Sequence, residues 1–138
     1  METRMLTLGT LVGLLALFVV GCAGFETFGT GIPAEAAPRF FFHMEHEAEA
    51  RGFEAYRSAN DDYLSVTTDL GDMDYSVEGD EIVVSVHLAE VDGLSVEEVQ
   101  AELDRLRSLN EDLIDAAAKR AERSKAFERH TLDEASAP

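Results

Sequence analysis

Alternating apolar and polar residues in the middle of the chain predict strands. The first run starts at Tyr63, and two more, over residues 73–77 and 82–86, flank the turn sequence around Gly79. Alternation is typical of strands with one buried face, and a short Gly-containing connection between two such runs predicts a β-hairpin. The facing sets in that hairpin are Met73, Tyr75 and Val77 on one strand and Ile82, Val84 and Val86 on the other.

Helical signals flank these strands. Residues 39–59 are rich in Ala and Glu, good helix formers, and predict a helix that ends near Asn60. Further on, Ser95 and Glu98 have the spacing of a capping box, which predicts a helix from Val96 to about Arg123 or beyond. The order helix, strands, helix predicts an α+β domain, in which both helices cover one face of an antiparallel sheet of about three strands.

Composition divides the chain into four segments. Residues 1–21 form a signal peptide or membrane anchor, and residues 22–38, rich in Gly, Ala, Thr and Pro, predict a flexible tether. Residues 39–127 form the small acidic α+β domain, and residues 128–138 predict a disordered tail.

The last helix carries an apolar stripe that has two interpretations. Its members recur at spacings of three and four: Val96, Val99, Leu103, Leu106, Asn110, Leu113 and Ala117. Such a seam is typical of a coiled-coil dimer whose register a buried Asn fixes. Leu109 and Ile114 widen the stripe, which favours packing on the chain's own sheet. Self-association remains a hypothesis, and we predict Leu103, Leu106, Asn110 and Leu113 as the partner-binding residues.

The N-terminal segment predicts export. An apolar run that starts at Met5 ends in Val19-Val20-Gly21-Cys22, which contains the only cysteine. This tetrapeptide resembles the lipobox of prokaryotic lipoproteins. The resemblance implies lipidation of Cys22 and removal of the residues before it.

Two alternatives to lipidation stay open. The stretch Met5–Phe25, about 21 residues, is long enough to span a bilayer as an uncleaved helix. Ordinary cleavage could instead follow the Ala-rich segment 34–37. Arg4 is the only basic residue before the apolar run, so the positive-inside rule places the later residues outside the cell. We therefore expect a protein at the cell membrane whose domain faces the extracellular side.

The charge of the chain narrows the possible partners. Its 28 acidic and 11 basic residues give a net charge of −17. Acidic residues occur throughout the chain, and this distribution resembles that of proteins from extreme halophiles. It favours a haloarchaeal-type lipoprotein over a dedicated binder of cations or basic partners. The lack of a basic stripe argues against nucleic acid as a partner. A lone cysteine excludes an internal disulfide.

Candidate chemistry is sparse. His43 and His46 lie one helical turn apart without an assignable third ligand, so a solvated pair is favoured over a metal site. The carboxylates of Asp69, Asp72 and Asp74 depart from the spacing of a calcium loop. No nucleophile elbow or phosphate loop occurs. We therefore expect no enzymatic activity, no metal and no cofactor.

The sequence thus predicts an exported, non-enzymatic binding or scaffolding module at the cell surface, with an envelope protein as a possible partner. One alternative is a ligand- or cation-binding accessory domain of a membrane transporter, with a pocket near Tyr63, Tyr75 and His87. Another is an uncleaved single-pass membrane protein with an extracellular α+β domain.

Overall fold

Five antiparallel strands and two helices make up the computed structural model, which describes the backbone of residues 24–136 and the side chains of residues 24–125. The elements in chain order are β1 (Phe25–Pro33), a single 3-10 turn (Ala34–Ala36), α1 (Ala37–Ala50), β2 (Glu54–Arg57), β3 (Tyr63–Thr67), β4 (Gly71–Glu78), β5 (Glu81–Leu88) and α2 (Val96–Ser136). The sheet order is β1-β5-β4-β3-β2. The α+β class is confirmed, but the predicted number of about three strands is too low.

The hairpin of β4 and β5 has the predicted register. Met73 pairs with Val86, and Val77 pairs with Ile82. Gly79 adopts a φ of +63° in the connecting turn, a left-handed conformation that glycine adopts without steric penalty.

Strand β1 corrects the prediction of a flexible tether over residues 22–38. It pairs antiparallel with β5, and the register shifts between Gly29 and Pro33. Gly31, within that irregular stretch, has a φ of +76°, and its N–H donates to the Glu81 carboxylate at 2.8 Å. An edge strand with a bulge tolerates Gly and Pro because one side of its backbone needs no strand partner.

Helix α1 ends earlier than the predicted boundary near Asn60. Gly52, with a φ of +82°, donates its N–H to the carbonyl of Glu49 at 3.0 Å. The N–H of Phe53 donates to the carbonyl of Ala48 at 2.9 Å. These two bonds form a Schellman motif, which terminates the helix and leads directly into β2.

Helix α2 begins as predicted, and its backbone continues through most of the segment predicted as a tail. The N–H of Glu98 donates to Ser95 Oγ at 3.1 Å, and the N–H of Ser95 donates to Glu98 Oε1 at 3.2 Å, which confirms the capping box. The backbone remains helical to Ser136, where a disordered tail from residue 128 was predicted.

Both helices pack on one face of the sheet. The buried apolar side chains of that layer are Phe41, Met44 and Ala48 from α1, Leu64, Val66, Met73, Tyr75, Ile82, Val84 and Val86 from the strands, and Val99, Leu103, Leu106, Leu113 and Ala117 from α2. Tyr75 lies fully buried within this core and donates a hydrogen bond to the side-chain oxygen of Asn110. A polar pair therefore links the sheet to α2 inside the core.

Burial of Tyr75 predicts a loss of stability at alkaline pH. Desolvation, assisted by the charge of Asp74, raises the pKa of the Tyr75 phenol well above its usual value. An unfolded tyrosine ionises near pH 10, whereas the folded one stays protonated. The contribution of the neutral Tyr75 phenol to the free energy of unfolding is therefore fully present below about pH 10. Above that pH, the free energy of unfolding should fall by about 1.4 kcal/mol per pH unit.

This pH dependence can be assigned with two variants. Denaturant titrations at increasing alkaline pH should give a shallower decline for Tyr75→Phe than for the unaltered protein. Tyr56→Phe is the control, since Tyr56 is 64% exposed at the sheet edge. Equal slopes for Tyr75→Phe and the unaltered protein would contradict the assignment.

Candidate functional site

The four predicted partner-binding residues point into the core. Leu103, Leu106, Asn110 and Leu113 are each at most 1% exposed and pack between α2 and the sheet or α1. The apolar stripe is therefore used within this chain. Self-association stays a prediction, but a partner cannot reach these side chains while α2 is packed in this way.

The predicted lipidation site, Cys22, lies outside the described residues, as does the apolar run before it. The described residues begin two positions later, at Gly24, whose carbonyl already accepts a hydrogen bond of 2.8 Å from the N–H of Leu88. Within residues 24–136, no helix is long and apolar enough to cross a membrane.

The histidines considered as metal ligands lie in different environments. His43 is 5% exposed on the inner side of α1, whereas His46 has its Nδ1 2.8 Å from the carbonyl oxygen of Phe42. His87 lies on β5, on the other face of the sheet. Among the described side chains, no group of three or more His, Cys, Asp or Glu residues is arranged to hold a metal ion.

The face of the sheet opposite the helices is the candidate binding site, and no element within residues 24–136 packs over it. One row of cross-strand neighbours runs across all five strands: Thr27, Ser85, Asp74, Ser65 and Tyr56. A second row contains Phe25, His87, Asp72, Thr67 and Glu54, and a third contains Gly29, Val83, Ser76 and Tyr63. We call these three rows the open sheet face.

Asp74 lies at the centre of a polar network on this face. Its Oδ1 accepts hydrogen bonds from Ser65 Oγ at 2.7 Å and from the Tyr63 hydroxyl at 3.1 Å. Its Oδ2 lies 3.7 Å from His87 Nε2. On the other side of His87, the ring of Phe25 lies 4.5 Å away between centroids. Desolvation, with a smaller contribution from Asp74, raises the pKa of Tyr63.

The order of groups in this network does not suit nucleophilic catalysis. A Ser-His-Asp triad requires the histidine to contact the serine hydroxyl, so that it can remove the proton. Here Asp74 lies between Ser65 and His87, and the Ser65 hydroxyl donates to the carboxylate. The network instead brings aromatic, hydroxyl and carboxylate groups together on one face of the sheet, which is an arrangement suited to binding.

The sequence pattern missed part of this face. The side chains of Tyr63, Tyr75 and His87 do not line one common pocket, because Tyr75 points into the core while the other two lie on the open sheet face. The contribution of Phe25 was missed because its segment was assigned to a tether. The signal available for a strand there was the alternation of the larger side chains Phe28, Thr30 and Ile32 with glycines.

We find no matching family model, curated protein or solved structure for this chain.

Proposed function

We propose that the protein is an exported, non-enzymatic binding module, held at the membrane by lipid on Cys22. The observation that carries the binding role is the open sheet face, where aromatic rings, hydroxyls and carboxylates lie together. Tyr56 is 64% exposed there, so its ring and hydroxyl are accessible to a partner. Aromatic residues with a polar group are enriched where proteins bind one another.

The charge of the open sheet face favours a partner with basic side chains. Glu54, Asp72 and Asp74 lie on it, and His87 is its only His, Lys or Arg side chain. Complementary charge steers encounter and suppresses wrong partners more than it adds affinity. An envelope protein with a basic surface is the partner that these groups fit.

The short connection to Cys22 supports a role at the membrane surface. Only Ala23 separates Cys22 from Gly24, whose carbonyl is hydrogen bonded to Leu88 at the end of β5. A domain attached so closely has little freedom to move away from its anchor. Its partner is therefore expected in or beside the same membrane.

Two measurements on the full-length chain, expressed in its own membranes, test the proposal: intact mass and photo-cross-linking. The first is the intact mass of the purified protein, which should match Cys22–Pro138 plus lipid; a Cys22→Ser variant should lack that species.

The second uses a photo-reactive residue at Thr27 or Thr67, both exposed on the open sheet face, with Ser108 on the outer side of α2 as the control position.

The expected result is one discrete adduct from Thr27 and Thr67, absent from Ser108 and lost in Cys22→Ser. Adducts that are equal from all three positions would contradict a role for the open sheet face. An adduct of twice the chain mass would identify a second copy as the occupant and contradict the proposed envelope partner. An unmodified full-length mass would contradict the lipid anchor.

A further inference from the structure

A second concave region lies on the helix side of the molecule, away from the open sheet face. It is a cavity of about 240 Å³ where the end of β1 meets the start of α1 and the middle of α2. Its apolar walls come from Ile32, Phe40, Ile114, Ala117, Ala118 and Ala121. Water gains few hydrogen bonds in such surroundings, so an apolar group would be the favoured occupant.

A polar depression adjoins this cavity. Arg39 and His43 line both concavities, and Arg57 and Ser124 complete the polar part of the depression. Two guanidinium groups and an imidazole thus lie beside an apolar cavity in a protein of net charge −17. A chain with only 11 basic residues therefore places two of them beside one apolar cavity.

The two arginines differ in their partners. Arg57 is held by Glu45 at 3.4 Å and by Asp61 at 3.5 Å, so its charge is balanced within the chain. Arg39 is exposed and forms no ion pair with any described side chain. Arg39 can therefore meet an incoming anion without first breaking an ion pair.

We propose that these adjoining concavities bind an amphiphile with a single alkyl chain and an anionic head group. The chain occupies the apolar cavity, and the head group, a carboxylate or a phosphate, lies at Arg39. Water occupies about 30 Å³ per molecule, so the cavity has room for about eight water-sized groups and accepts a short chain or the end of a longer one. This site is independent of the partner proposed for the open sheet face.

Calorimetric titration of the full chain with octanoate, decanoate and dodecanoate, each below its micelle concentration, tests the cavity. Each further buried methylene should tighten binding by about fourfold until the cavity is full, after which affinity should level off. Decyl phosphate should also bind, whereas decanol and decyltrimethylammonium should bind at least about tenfold more weakly than decanoate.

Two variants with matched controls locate the binding. Arg39→Gln should weaken decanoate binding by about tenfold, while Arg123→Gln, which alters another exposed arginine outside both concavities, should leave it unchanged. Ala118→Leu should weaken binding by partly filling the cavity, and Ala101→Leu, at an exposed position on the same helix, is its control. All four positions are exposed on helices, so the variants should fold, which circular dichroism can verify.

Three results would overturn the proposal. The first is the absence of saturable binding by any anionic amphiphile. The second is equal affinity for decanoate and decyltrimethylammonium, which would remove the anionic head group from the definition of the ligand. The third is an unchanged affinity in both Arg39→Gln and Ala118→Leu, which would place the binding elsewhere.

Discussion

A chain that begins at Ala34 should fail to fold, whereas a chain that begins at Ala23 should unfold in one cooperative transition. The difference between the two is β1, which completes the sheet beside β5. Phe28 and Ile32 from this strand are partly buried against the core, so each contributes less than the about 1.5–3 kcal/mol of a fully buried side chain, and the strand adds its backbone pairing with β5. Domains of this size have only about 5–15 kcal/mol of total stability.

Removal of β1 also breaks an ion pair between this strand and α2. Glu26, whose side chain is 13% exposed, forms an ion pair of 3.2 Å with Arg107 of α2. Without β1, Arg107 lacks this partner, and the backbone of β5 is left with an unpaired edge. Unpaired edges promote aggregation.

Circular dichroism during heating tests this prediction, because it shows whether each chain unfolds in a cooperative transition. High salt in the buffer screens the acidic surface. The chain that begins at Ala23 is the control for expression and refolding. A cooperative transition at the same temperature in both chains would contradict it. That result would mean that residues 24–33 behave as the tether that the composition predicted.

Local signals in the sequence predicted those parts of the fold that neighbouring residues determine. The capping box of α2 needs only Ser95 and Glu98, and the hairpin register follows from two alternating runs around Gly79. Strand β1 depends instead on a partner far along the chain, since Thr27 faces Ser85. Its glycines and proline argue against a strand in general but not against a bulged strand at the edge of a sheet.

The candidate site could be predicted only in part for the same reason. From the sequence alone, Asp74 is only a carboxylate that departs from the spacing of a calcium loop, and Tyr63 is the start of a strand. Their hydrogen bond depends on the pairing of β3 with β4. The concavities at Arg39 depend on the approach of α1 to the middle of α2, which no local pattern specifies. Periodicity indicates which residues are buried on an element, whereas the meeting of two elements is decided by the whole core.

The core pair of Tyr75 and Asn110 predicts strong coupling between two substitutions. Asn110→Leu should lower the free energy of unfolding by about 1–3 kcal/mol, because it leaves the buried Tyr75 hydroxyl with only the weak acceptor Met73 Sδ at 3.7 Å. Tyr75→Phe should have a similar effect, because it leaves the Asn110 side chain buried without its donor. The double variant Tyr75→Phe/Asn110→Leu removes both polar groups together and should be more stable than the sum of the single effects predicts.

Denaturant unfolding of all four proteins measures this coupling, which should be about 2 kcal/mol. Tyr56→Phe combined with Asn110→Leu is the control pair. Tyr56 is exposed on the open sheet face, so these two effects should add. Additive effects for the pair Tyr75 and Asn110 would contradict the interaction.

Sedimentation of the same variants separates the two interpretations of Asn110. A buried Asn that fixes the register of a helical dimer would change the mass in solution when it is replaced by Leu, without coupling to Tyr75. An Asn that links α2 to its own sheet should couple to Tyr75 and leave the mass unchanged. The structure favours the second result, since Asn110 is 1% exposed and accepts the Tyr75 hydrogen bond within one chain.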